Sequence, residues 1–210
     1  MDTENVITHY SEYVLKHNKR PTNVYNFCKH LKIDEDQFYA HFSSFEELES
    51  SMLARMVNNA ILLTVKDNEE NETEIDAKHQ LLTFYLTLVE VFKSNRSLVL
   101  FLLPQCKNEM ASLKKLHKSR ERFFSFIATL DISLDLMSFI PDTSVKEKTI
   151  KAAAWVQFIS ILKFWLQDTS KGFEKTDIFI EKSLKLSFEL SESNVLNSIV
   201  DLGKFMMNKK

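Results

Sequence analysis

Residues 22–50 read TNVYNFCKHLKIDEDQFYAHFSSFEELES, and this stretch decides the fold. Thr22 is placed to cap a short helix, NVYNFCKHL, with Val24, Phe27, Cys28 and Leu31 on its apolar face. KID then forms a tight turn, and Asp34 is placed to cap a third element, EDQFYAHF. Ser43 stands three residues before Glu46, and Ser44 three before Glu47. Either pair can form a capping box for a longer helix from about Phe45 to Val65. Upstream, Val6, Ile7, Tyr10, Val14 and Leu15 recur at helical spacing between about Thr3 and His17, and NKRPT breaks that helix. Short helices joined by a tight turn, with a long helix after them, describe a helix-turn-helix head.

The remainder is helical by the same tests. The acidic run KDNEENETEID reads as a solvated connector. A helix over about Glu74–Ser94 follows, carrying Leu81, Leu82, Phe84, Tyr85, Leu88, Val89 and Phe92. NRSLVLFLL is a short buried helix ending near Pro104, and residues 108–140 are mostly helical before a break at PDTSVKEK. A largely apolar helix spans Val145–Gln167, DTSKGFEKT is a loop containing Gly172, and a last long helix begins near Asp177. Only 2 Gly and 3 Pro occur in 210 residues. Sheets need the turns that these residues make, so the chain is all-α. The expected division is a head over 1–48, a helical body over 49–190 and an amphipathic tail helix over 191–210.

The composition, 44% hydrophobic and 27% charged, is that of a globular chain with a sizeable core. A net charge of -2 gives no general attraction to nucleic acid. Cys28 and Cys106 read as reduced thiols of a cytoplasmic protein. No signal peptide is expected, and AAAWVQFISILKFWL is interrupted by Lys163 and too short to span a bilayer. Gly-rich phosphate loops, nucleophile elbows and spaced metal-ligand sets are missing from the sequence, so neither an enzyme nor a cofactor is expected. His79 is isolated, and His117 with Glu121 one turn on reads as a surface pair rather than a metal site. LKKLHKSRER is a basic run, read as a solvated helix face that could also meet an acidic partner.

Thr22, Val24, Phe27, Ile33, Phe38, Tyr39, His41, Phe42, Ser44, Glu46 and Leu48 resemble the amino-terminal domain of the TetR family of transcriptional regulators. That pattern is T-x-x-x-I-A-x-x-x-G-V-S, then L-Y-x-H-F, then S-K-E-x-L. The resemblance covers about the first quarter of the chain. It implies a homodimer whose third helix enters the major groove and whose second domain binds a small hydrophobic effector. Carried over by position, Thr22, Tyr39 and His41 would hold phosphates. Gln37 could reach a base edge, and Arg20, Asn23, Lys29 and Lys32 would complete the DNA-binding set.

Three positions depart from the family. Phe45 stands where that pattern has Lys, Asp36 replaces a Gly, and Lys32 replaces the turn Gly. Over residues 1–50 there are nine carboxylates against five lysines and arginines, and Asp34, Glu35 and Asp36 sit at the tip that would face DNA. A second resemblance lies in FWLQDTSKGFEKTDIFIEKSL. There Trp165, Leu166, Asp168, Ser170, Thr176, Phe179, Ile180, Glu181 and Lys182 resemble a segment of the lipid-binding accessory proteins of ubiquinone biosynthesis, a TetR-fold branch without DNA binding. It implies an alternative function: a lipid- or isoprenoid-binding protein whose head no longer touches DNA.

In the body, Phe84, Tyr85, Leu88, Phe92, Phe101, Phe123, Phe126 and Phe158 are candidates to line an apolar pocket. Each ring taken singly is more often core. Trp155, Ile159, Leu162 and Leu166, with Phe179 and Leu184 on the last long helix, form the expected dimer interface, a four-helix arrangement with twofold symmetry. The alternative is that these side chains fill the monomer core. The tail, with Val195, Leu196, Ile199, Val200 and three lysines, is suited to docking on the body or to peripheral membrane contact.

Overall fold

The computed structural model describes residues 2–70, 76–103, 113–132 and 143–192. All regular structure among them is helical. The helices are α1 (Thr3–His17), α2 (Val24–Leu31), α3 (Glu35–Tyr39), α4 (Phe45–Glu70), α5 (Ala77–Ser94), α6 (Arg96–Leu102), α7 (His117–Ile127), α8 (Thr143–Gln167) and α9 (Glu174–Glu192). A 3-10 turn, Lys171–Phe173, lies between α8 and α9. The connector expected after Val65 differs from the structure. Helix α4 continues unbroken through Lys66–Glu70, because Lys, Asp, Asn and Glu do not terminate a helix without a Gly or Pro stop. The tail helix expected beyond residue 192 lies outside the described residues.

The chain forms two compact units, residues 1–63 with 88–123, and residues 64–87 with 124–210. The first unit contains the head. Val6, Tyr10 and Val14 of α1 are buried with Phe27 and Cys28 of α2, Phe38 of α3 and Phe45 and Leu48 of α4. The rings interlock: Phe45 lies 5.3 Å from Tyr10, 5.7 Å from Phe27 and 5.5 Å from Phe38, centroid to centroid. Phe45 is therefore a core residue of the head. The pairs with Phe27 and Phe38 are edge-on, a geometry that adds to simple area burial. Helix α1 also packs on α6, whose Leu98, Val99 and Leu102 are buried.

Local chemistry sets the helix ends. Asp2 caps α1 by accepting from the Asn5 amide at 2.8 Å. Asn23, not the expected Thr22, caps α2, accepting from the Asn26 amide at 2.8 Å. The amide of Ile33 donates to the Cys28 carbonyl at 3.0 Å, and that of Lys32 to the Lys29 carbonyl at 3.2 Å. These two bonds define a Schellman stop, with Lys32 in the left-handed region at φ 58°. Asp34 occupies the cap position of α3 but makes no side-chain cap bond. At α4, Ser44 accepts from the Glu47 amide at 3.2 Å. The Glu47 carboxylate reaches back to the Ser43 amide at 2.7 Å, so the capping pair is Ser44 with Glu47.

In the second unit, Leu81, Phe84 and Tyr85 of α5 are buried with Phe126 and Ile127 of α7, Phe158, Ile161, Leu162 and Trp165 of α8, and Ile180 and Leu184 of α9. Phe164 and Phe179 stack at 4.5 Å with rings parallel to within 1°, joining α8 to α9. The corner between those helices is tied by one side chain. Asp168, 6% exposed, accepts from the amide and hydroxyl of Ser170 at 2.8 and 2.7 Å, and from those of Thr176 at 3.0 and 2.7 Å. Burial opposes its ionisation, but these four donors outweigh that cost and hold the carboxyl at about 2. The D-x-S…T spacing noted in the sequence thus has a structural role, and Gly172 supplies the left-handed residue that the corner needs, at φ 66°.

Candidate functional site

The outward side of the α2–turn–α3 unit presents Thr22, Asn23, Lys29, Lys32, Gln37 and Tyr39, all exposed. Gln37 and Tyr39 flank Phe38, whose burial anchors α3 and turns its neighbours outward. Lys29 lies over the Tyr25 ring at 5.8 Å. Asn23 is occupied as the α2 cap, and the half-buried His41 places Nδ1 3.0 Å from the Thr3 hydroxyl. The tip carboxylates of Asp34, Glu35 and Asp36 enter no ion pair among the described residues, and Glu35 and Asp36 occupy the first turn of α3, where acids favour the helix dipole.

Arg20 is placed differently from the rest of the set. Its guanidinium bonds Glu49 through Nε at 2.8 Å and Nη2 at 2.7 Å, and also reaches Glu46. Glu49 is fully buried and additionally pairs with Lys115 at 2.8 Å and accepts from the Tyr10 hydroxyl at 2.6 Å. Burial alone would raise the Glu49 pKa, but Arg20, Lys115 and Tyr10 together lower it. The Tyr10 hydroxyl is pushed up by burial and by the adjacent Glu49 carboxylate. Arg20 therefore ties the segment after α1 to α4, and its charge is spent inside the protein. Reading the head by its net charge missed this network. The available signal was position: Glu49 lies four residues after Phe45 and four before Leu53, on the buried stripe of α4.

Other carboxylates of the head are also matched internally. Glu4 pairs with Arg55, and Glu47 with Lys118 at 3.2 Å. Hydrogen bonds from Ser43, then Lys118, hold the Glu47 carboxyl at about 2.

Of the pocket candidates, Phe84, Tyr85, Phe126 and Phe158 are buried in the second unit. Phe84 meets Phe126 at 5.1 Å, Tyr85 meets Phe158 at 6.5 Å, and the Tyr85 hydroxyl donates to the Ala154 carbonyl at 3.5 Å. Leu88, Phe92 and Phe123 are buried in the first unit, where Phe101 is half-buried. Of the interface candidates, Leu162 and Leu184 are 5% and 1% exposed and fill the interior of the second unit. Trp155, Ile159, Leu166 and Phe179 are half-buried, and Trp155 stacks on Phe158 at 5.0 Å. The apolar side chains left outside on α8 and α9 are Val145, Val156, Ile178 and Leu186, with Val156 66% exposed. No group of three or more metal-ligating side chains comes together among the described residues.

An all-α chain with a helix-turn-helix head and a larger helical body has the architecture of a one-component regulator. Residues 80–206, more than half of the chain, match the family model described as Tetracyclin repressor-like, C-terminal domain. The chain belongs to that family, the TetR-like regulators. The match lies over residues 80–206, whereas the resemblance carried by residues 22–48 lies upstream of it. No curated protein matches the chain at a significant level.

Proposed function

We propose that the protein is a homodimeric TetR-like transcriptional regulator that binds DNA through α2 and α3. The observation that carries this reading is the exposed set Thr22, Lys29, Lys32, Gln37 and Tyr39, carried by α2, α3 and the residues next to them over an interlocked aromatic core. Lysines and the Thr and Tyr hydroxyls would position the phosphates, and the Gln37 amide would read a base edge.

The acidity of residues 1–50 is a weaker objection than it first looks. Glu4, Glu46, Glu47 and Glu49 are each paired with a cation. Counted over the whole first unit, fourteen lysines and arginines stand against twelve carboxylates. Dimerisation would use the unburied apolar face of α8 and α9, and a hydrophobic effector would act through the aromatic-rich body. Fluorescence polarisation with DNA flanking the gene tests the reading across a salt series. Binding that weakens as salt rises and is lost in Gln37→Ala supports it. Undetectable binding at low salt would sink it.

The exposed Asp34 and Asp36, with the half-buried Glu35 between them, favour a second reading, a lipid- or isoprenoid-binding protein whose head does not engage DNA. Native mass spectrometry of the gently extracted protein separates the two. Co-purifying lipid together with absent DNA binding selects the second.

A further inference from the structure

The basic run LKKLHKSRER is not used by the DNA-binding reading, yet part of it lines a cleft. The cleft lies within the first unit, has a volume of about 610 Å³, and is bounded by the start of α4 on one side and residues 114–118 on the other. Four cations line it, Arg20, Lys114, Lys115 and Lys118. Three carboxylates lie near them, namely Glu46 and Glu47 on its wall and the buried Glu49 beneath. Their pairing is uneven. Glu49 serves both Arg20 and Lys115, Glu46 adds to Arg20, and Glu47 serves Lys118. Lys114 has no carboxylate partner among the described residues. A smaller cleft of about 460 Å³ shares Lys118 and adds Arg55, Arg122 and the carboxylate Glu121.

One further feature favours an anion. Helix α7 begins at His117, so the positive end of its dipole stands at the cleft wall. His117, on the cleft wall, places Nδ1 2.9 Å from the Lys114 carbonyl oxygen and 3.1 Å from the Ser50 hydroxyl.

We propose that this cleft binds a small phosphorylated metabolite, with its phosphate seated against Lys114, Lys118 and the first turn of α7. The volume admits an organic moiety beyond a bare ion. The Lys118–Glu47 pair is partly exposed and therefore weak, so a dianion of higher charge density can displace the carboxylate. Glu47 also holds the Ser43 amide at the start of α4. Occupancy would then act on the α3–α4 junction, a consequence that adds to the DNA-binding reading but is not needed for the binding itself.

The test is isothermal titration of the full chain at constant ionic strength with glycerol 3-phosphate, inorganic phosphate and acetate. Saturable binding of the two phosphates is expected, weakened at least tenfold by Lys114→Gln and Lys118→Gln and unchanged by Lys163→Gln. Lys118→Gln removes an ion pair, so circular dichroism checks its fold. Lys114→Gln removes no such pair and stands as the independent variant. Acetate binding as tightly as phosphate overturns the assignment. So do heats that fail to saturate, or affinities that both glutamine variants leave unchanged. DNA binding is not read in this experiment, so loss of one proposal leaves the other standing.

Discussion

Three carboxylates show how differently one residue type acts here. Glu49, Glu47 and Asp168 all have lowered pKa values, the last two to about 2. A carboxyl depressed in the folded state contributes stability that is fully present above its unfolded pKa, roughly 4. That contribution is lost as pH falls through the folded value. Urea unfolding midpoints should thus be insensitive to these groups above about pH 5 and should fall between about pH 4 and pH 2. Asp168→Asn should flatten part of that acid limb and cost about 1–3 kcal/mol at neutral pH, because the amide cannot accept all four bonds. Glu49→Gln should cost on the order of 3 kcal/mol, since it leaves Arg20 and Lys115 without their shared buried counter-charge. A neutral-pH midpoint for Glu49→Gln equal to wild type would show that the network contributes nothing. The sequence displayed Asp168 through its spacing with Ser170 and Thr176. It placed Glu49 on the buried stripe of α4 between Phe45 and Leu53, but nothing local names the distant lysine and arginine that enclose it.

At the scale of elements, the turn between α2 and α3 shows a compromise. A left-handed lysine costs about 1–2 kcal/mol relative to glycine, yet Lys32 occupies that position at φ 58°. Lys32→Gly should therefore raise stability by about 1 kcal/mol, measured as a higher unfolding midpoint. On the DNA-binding reading it should also weaken binding about equally on all sequences and reduce the salt slope by about one. If both stability and DNA affinity rise, Lys32 contacts no phosphate. The neighbouring acids can be probed in the opposite sense. Neutralising Asp34 and Asp36 as Asn should strengthen binding to random DNA, read by polarisation at low salt. Helix α4 carries a different lesson. Its start is legible from Ser44 and Glu47, whereas its end is not, because an acidic run reads alike as a solvated loop and as an exposed helical face. Exposed polar residues are compatible with a helix, and only a Gly, a Pro or a tertiary clash would have stopped it.

At the scale of the whole molecule, the all-α architecture was legible from the scarcity of Gly and Pro and from the spacing of apolar residues. Which side of each helix faces inward was less legible, and α8 shows why. It is the one helix among the described residues long and apolar enough to cross a membrane, yet only 22% of its most apolar window is buried. Apolar residues go all round it, so periodicity could not separate a core stripe from an interface stripe. The structure assigns Phe158, Ile161, Leu162 and Trp165 to the interior and leaves Val145, Val156, Ile178 and Leu186 outside on α8 and α9. On the homodimer reading proposed above, a twofold axis would bury this apolar surface on both subunits. Val156→Glu would set like charges against one another at such an interface, at a position 66% exposed in the subunit. The variant should keep wild-type helicity by circular dichroism and shift from dimer to monomer in analytical ultracentrifugation. Its DNA affinity should fall further than that of any single phosphate-contact variant, since losing the dimer separates two half-sites that must be about one helical turn apart. A wild-type chain that sediments as a monomer, or a Val156→Glu variant that stays dimeric, would move the subunit interface away from this face and leave its exposure to be explained by another partner.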